Sequence, residues 1–145
     1  MKPSSLAPFL FPLLLLAACG DDFSSPDYSK LPDAKEVRRH LEEAIDFRDL
    51  HRKHDREAGI WTYRNSGDKS LFTGWAKSTR GDGAAKVFFV KDGLEHGPRV
   101  TYYGDGTTMD SGWNVKGKRH GLYVFWNRTG KKTESRYEHG VKVEE

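Results

Sequence analysis

The sequence predicts a mainly β protein, an antiparallel meander of repeated β-hairpins carrying one short N-terminal amphipathic helix. Three observations lead there. Rings and β-branched residues stand in short runs between turn-forming Gly, Asp and Asn, as in the stretch GKRHGLYVFWNRTGK, where five of the six residues Leu122 to Asn127 are large and apolar or aromatic. The C-terminal half matches itself at an offset of about 24 residues. Apolar residues at helical spacing occur in a stretch around residue 40, ahead of the strands. With 145 residues, 36% of them hydrophobic, the chain suits a single domain with a modest core.

The first 18 residues read as a signal peptide. MKPSSLAPFLFPLLLLAACG has a basic second residue and an apolar run from Leu6 to Ala18, interrupted by Pro8 and Pro12. A run of about 13 residues is too short for a membrane span, which needs about 20. Leu16-Ala17-Ala18-Cys19 resembles a bacterial lipobox, which implies that Cys19 becomes the first mature residue and carries acyl chains. Cys19 is the only cysteine, so a disulfide within the chain is impossible, and lipidation accounts for the odd thiol. Acyl chains contribute about 0.8 kcal/mol per buried CH₂, so several of them make a stable membrane anchor. The chain is therefore expected to be exported and lipid-anchored. Gly20, where the family sorting rule looks for aspartate, favours the outer membrane if the organism has two membranes.

Residues 19–32, GDDFSSPDYSKLP after the cysteine, are rich in Ser, Asp and Pro and are expected to form a flexible linker. Residues 33–59 are read as the amphipathic helix and a charged connection. Val37, Leu41, Ala44 and Ile45 fall on one helical face, Asp33 is the N-cap, and Glu36 is its capping-box partner. The helix is expected to end near Phe47, or to continue through RDLHRKHDREAG to Gly59.

Residues 60–145 form the repeat domain. At an offset of 24, Gly93 falls on Gly117, His96-Gly97 on His120-Gly121, Val100 on Val124, Tyr102 on Trp126, Gly106 on Gly130 and Trp113 on Tyr137; Gly117 reaches Gly140 after 23. Strands are expected over 97–103, 107–115, 121–127 and 131–138, with glycine supplying the positive φ of the intervening turns. The two-residue side-chain period puts Val100, Tyr102, Trp113, Val115, Leu122, Val124 and Trp126 on one face, and Arg99, Thr101 and Tyr103 on the other. Rings are then expected to stack from strand to strand.

These features together, a ring-bearing strand, a Gly turn, a charged strand and a Lys-x-Gly-x-x-x-Gly junction, resemble the variant MORN repeat of bacterial exported proteins and of the YwqK-type antitoxin-like group. The junctions are KDGLEHG at 91–97 and VKGKRHG at 115–121, with EHGVK at 138–142 as a partial copy, and LFTGWAK at 71–77 is similar to the family's opening strand. The resemblance covers roughly residues 60–142. STRGDGAA at 78–85 departs from the family's Asn-Gly turn, so the first hairpin is expected to be irregular.

Little in the chain points to catalysis. Cys19 is committed to lipid, no serine sits in a Gly-x-Ser-x-Gly elbow, and no Gly-rich loop leads from a strand into a helix, so no catalytic residue and no cofactor is assigned. His51-x-x-His54 with Asp49 and Asp55 has no matching ligand cluster elsewhere and is read as a charged solvated stretch, so no metal is assigned. His96 and His120 recur with the period and are read as structural. Arg80-Gly81-Asp82 and Asn127-Arg128-Thr129 match short adhesion and glycosylation patterns and carry no reading. Residues 71–145 hold 13 Lys and Arg against 9 Asp and Glu, a small surplus with both signs mixed. Nucleic acid is an unsuitable partner for an exported chain.

The expected function is a non-enzymatic, lipid-anchored binding or scaffold module of the cell envelope. Its partners are the membrane, through Cys19, and a protein or envelope component, met on a face that includes Trp75, Tyr103, Tyr123 and Phe125. The resemblance implies an alternative, an antitoxin-like or immunity lipoprotein that binds a toxin or effector. An enzyme assembled from residues that meet only in three dimensions is a third reading. The sequence leaves the oligomeric state open.

Overall fold

In the computed structural model, which describes residues 26–144, the turns decide the architecture before the strands do. Asp92-Gly93, Lys116-Gly117 and His139-Gly140 all have both residues at positive φ, between 47° and 88°. That geometry turns the chain in two residues with the twist the flanking strands require. The pairing therefore runs to the corner itself, with Lys91 opposite Leu94, Val115 opposite Lys118 and Glu138 opposite Val141. This is why two strands begin about three residues earlier than the sequence suggests.

The strands are β1 (Ile45–Asp46), β2 (His51–Asp55), β3 (Ile60–Arg64), β4 (Gly74–Thr79), β5 (Ala85–Lys91), β6 (Leu94–Tyr102), β7 (Thr108–Val115), β8 (Lys118–Trp126), β9 (Lys132–Glu138) and β10 (Val141–Val143). The chain is mainly β. Eight strands form one sheet in the order β1-β4-β5-β6-β7-β8-β9-β10, and β2 and β3 form a separate hairpin. From β4 to β10 the large sheet is an antiparallel meander, while β1 joins its edge parallel to β4.

The first hairpin of the meander is regular, contrary to expectation. β4 and β5 pair without a shift from Gly74–Val90 to Thr79–Ala85. Their turn is closed by Arg80 N–H to the Ala84 carbonyl at 2.8 Å and Gly83 N–H to the Arg80 carbonyl at 3.0 Å. Gly83, at φ 81°, takes the left-handed position, so the extra polar residues are absorbed within the turn.

Among the described residues one α-helix, α1, occupies Ala34–Arg39, shorter than the expected run to Phe47. Asp33 caps it, accepting from Lys35 N–H at 2.8 Å and Glu36 N–H at 3.2 Å, but Glu36 pairs with Arg39 instead of closing a capping box. Val37 and Ala44 are buried with Trp75, Val87, Phe89, Val100 and Tyr102, so the helix covers one face of the sheet at β4–β6. Ile45 leaves the helical stripe and becomes the exposed edge strand.

The charged stretch after it is a strand, not helix. Asp55 accepts from Glu57 and Ala58 N–H, and Gly59 at φ 67° closes a tight turn that folds β2 back onto β3. The hairpin and the segment after it cover the opposite face, burying Leu50, Tyr63 and Phe72 against Ala76, Phe88 and Val90.

The described end of the expected linker is also packed. The Tyr28 carbonyl accepts from Leu122 N–H at 2.9 Å, the Lys30 carbonyl accepts from the Trp113 indole at 2.8 Å, and Pro32 is buried. Gly121 permits this approach, since a Cβ there would overlap Tyr28. The segment is thus a strap across β7 and β8 on the helix side. Cys19 and the expected signal peptide lie outside the described residues.

Candidate functional site

The two-residue period that buries Val87, Val100 and Tyr102 under α1 sends Lys86, Glu95, Arg99, Asp110 and Asn114 to the opposite face. The hairpin covers the β4–β6 end of that face, and these polar groups lie at and beyond its border. Their burial demands partners.

Glu95 is the centre of the group. It is 8% exposed and accepts from Asn114 Nδ2 at 2.7 Å, Tyr63 Oη at 3.0 Å and Lys86 Nζ at 3.4 Å. Asn114 Oδ1 in turn accepts from Tyr123 Oη at 2.8 Å. The network joins β3, β5, β6, β7 and β8 through side chains. Burial first, and then the adjacent Glu95 carboxylate, raises the Tyr63 phenol pKa far above its ordinary value, and burial does the same for Tyr123. Both phenols keep their protons and serve as donors. Burial lowers the Lys86 ammonium pKa while Glu95 beside it opposes the shift, and the same ammonium lies 4.0 Å from the Phe88 ring centroid.

Arg99 is less well served. Its Nη1 stands 4.0 Å from Glu95 Oε2 and its Nε 4.0 Å from Asp110 Oδ1, beyond hydrogen-bonding distance. Arg99 Nε and Asp110 Oδ1 are both buried without a hydrogen-bond partner among the described residues.

Beside this floor opens a cleft of about 420 Å³, between the β2–β3 turn and the corners at Gly117 and Gly140. Trp61, Arg99, Lys118, Arg119 and His139 line it along with Glu95 and Asn114. Trp61 is 42% exposed and has His54 stacked on it at 4.6 Å. Farther along, the Arg119 guanidinium sits 4.9 Å from the Tyr123 ring and 5.3 Å from the Tyr137 ring, and donates to Tyr137 Oη at 3.2 Å. Tyr123 and Tyr137 meet edge to face at 5.6 Å, with Phe125 next to them in a shallow second depression. A groove of about 460 Å³ on the helix side, lined by Leu31, Pro32 and Trp126, gathers no comparable cluster of buried charge.

The four residues expected to share one partner-binding face do not share it. Trp75 is buried beneath α1, stacked on His40 at 4.1 Å and edge-on to Phe89. Tyr103 is buried at a strand end, donates to the Trp126 carbonyl at 2.7 Å and lies under Arg128. Tyr123 and Phe125 do lie together on the hairpin-side face, but Tyr123 is buried and Phe125 is 47% exposed. Rings this large are sunk wherever a covering element reaches them, and only Phe125 lies beyond any cover. His51 and His54 lie on strand β2, where positions three apart point to opposite faces.

Sequence reasoning missed Glu95, Asn114 and Tyr63. The available signal was polar residues at alternate positions of ring-bearing strands, a pattern that marks a second buried face when those positions pair with one another. No family model, no curated protein and no solved structure matches the chain.

Proposed function

We propose that this chain is a lipid-anchored, non-enzymatic binding or scaffold module of the bacterial cell envelope, built from MORN-variant repeats. The observation that carries the binding role is the uneven cover of the hairpin-side face. Its first half is sealed by Leu50, Tyr63 and Phe72, while its second half leaves Phe125, Tyr137 and Arg119 around a shallow depression. The exposed Phe125 ring beside the half-buried Tyr137 and an arginine suits recognition of a protein surface. The Glu95 network works as architecture in this reading: its carboxylate is saturated by donors and locks five strands in register.

The repeat reading draws support from the turns. Tyr103 N–H bonds to the Thr107 carbonyl and Gly106 N–H to the Tyr103 carbonyl; Asn127 with Lys131, and Gly130 with Asn127, do the same 24 residues on, and Arg80, Gly83 and Ala84 do so 23 residues before. At the other end of the strands His96 Nδ1 accepts from Lys116 N–H at 3.3 Å, and His120 Nδ1 accepts from His139 N–H at 3.4 Å. The anchor rests on the lipobox-like Leu16–Cys19, and export to the outer membrane on that motif with Gly20.

The test is cross-linking in native envelopes, comparing the anchored wild type with Phe125→Asp. The wild type should retain a defined partner that the variant loses. An identical set of captured species, or fractionation of the wild type with the cytosol, would overturn the reading. A captured toxic effector would turn the same surface to the immunity role that the family resemblance implies.

A further inference from the structure

The cleft beside Trp61 has more donor capacity than its own acceptors use. Glu95 is occupied by Asn114, Tyr63 and Lys86, all at 3.4 Å or less. Arg99, bordering the same cleft, has Nη1 4.0 Å from Glu95 Oε2, too far for a hydrogen bond, while its buried Nε faces Asp110 Oδ1 at 4.0 Å with neither of those two atoms hydrogen-bonded among the described residues. A guanidinium largely withdrawn from water, whose Nη end borders the cleft without a hydrogen bond to Glu95, favours an incoming acceptor. Of the residues lining the cleft, Arg99, Lys118 and Arg119 are cationic and Glu95 alone is acidic. The wall therefore carries a positive surplus, and the low polarisability around it strengthens the attraction for an anion.

Two further features narrow the ligand. Trp61, 42% exposed on the cleft wall with His54 stacked on it, offers its remaining apolar ring surface to a flat body beside the charge. Glu95 and Asp110, both 4.0 Å from Arg99, repel a dianion more than a monoanion, which disfavours phosphate relative to carboxylate. A volume of about 420 Å³ suits a small ligand of one or two residues.

We propose that this cleft binds a carboxylate monoanion carried on a ring-sized body, either a sugar acid or an acidic amino-acid residue. The carboxylate is held by Arg99 with Lys118 and Arg119, and the body lies against Trp61. The proposal deepens the binding-module reading and rests on it, but uses a different part of the face from Phe125.

The experiment is calorimetric titration of the purified full chain with D-glucuronate, the α-amide of N-acetyl-L-glutamate, glucose and inorganic phosphate, the first two being monoanions at neutral pH. Saturable binding is expected for one or both carboxylates, at least about tenfold tighter than for glucose or phosphate; which carboxylate binds identifies the source. Arg99→Lys should weaken it about tenfold, because an ammonium cannot reproduce the planar fork. Since Arg99 is embedded, Lys118→Gln and Trp61→Ala provide surface variants, each expected to weaken binding several-fold with an unchanged melting temperature. No binding of either carboxylate up to about 10 mM, phosphate binding as tight as carboxylate, or indifference to both surface variants overturns the proposal. Phe125→Asp separates it from the partner-binding reading: loss of capture with an intact titration removes only that reading, and a failed titration with intact capture removes only the cleft.

Discussion

Gly112 holds the hairpin-side face together through the space it leaves empty, and Gly112→Ala tests that role. A Cβ built at this position would overlap the Tyr123 ring, although the Gly112 backbone does not take a positive φ, so the effect is steric and not conformational. Tyr123 cannot yield freely, because it is 6% exposed and its hydroxyl donates to Asn114 Oδ1 at 2.8 Å. Forcing one methyl into such a contact costs about 1 to 3 kcal/mol. Losing the phenol hydrogen bond adds about 0.5 to 1.5 kcal/mol. The sum, about 2 to 4 kcal/mol, should lower the melting temperature by roughly 10 °C for a domain of this size. Urea unfolding followed by circular dichroism measures the first figure, and a thermal melt the second. Because the penalty passes through the ring, Gly112→Ala should cost at least about 1 kcal/mol less in a Tyr123→Ala background. A penalty below about 0.5 kcal/mol, or an equal penalty in both backgrounds, refutes it.

Three other outcomes are expected. Cys19→Ser should abolish metabolic labelling with a radioactive fatty acid and release the protein from the membrane fraction; persistent labelling would show that another residue is acylated. Ser111 is 1% exposed and its hydroxyl has no hydrogen-bond partner among the described residues, so Ser111→Ala should be neutral or stabilise by up to about 1 kcal/mol, and a measured loss above about 1 kcal/mol contradicts that placement. His96 has its pKa held below 6.5 by burial first and then by Lys91 and Lys116, and its neutral Nδ1 accepts from Lys116 N–H. The folded state therefore binds this proton less readily than the unfolded chain. Its contribution is present above pH 6.5 and is lost as the pH falls through the lowered folded-state pKa. Between about pH 7.5 and 5, the melting temperature of wild type should fall further than that of His96→Gln, and equal falls would rule the histidine out.

Local chemistry was legible in the sequence, and distant pairing was not. Asp92-Gly93 and Lys116-Gly117 mark their corners because few residue pairs adopt positive φ twice in succession, so the meander from β5 to β8 follows from residues adjacent in the chain. Strand β2 gave no such signal. All five of its residues are exposed, so HRKHD shows no alternation, and it becomes a strand only because Asp55 and Gly59 fold it onto β3. Asp33 caps α1, but no local feature announced that the helix would stop at Arg39 so that Ile45 could join the sheet edge. The candidate site was the least legible part. Glu95 finds Tyr63 at a separation of 32 residues and Asn114 at 19, and neither partner is implied by its neighbours in the chain.

The sequence by itself determined the alternation of rings and corners, and with it a mainly β meander whose side chains fall on two faces. Those are consequences of backbone sterics and a two-residue period, which act over a few residues. Only the tertiary structure decided which rings those faces hide. Trp75 disappears because α1 lies over it, and Phe125 stays exposed because the hairpin stops short of it. It also brought Arg99 within 4.0 Å of two carboxylates without a hydrogen bond to either. Burial and charge pairing depend on what the rest of the chain places overhead, and that is settled by the packing of segments far apart in sequence.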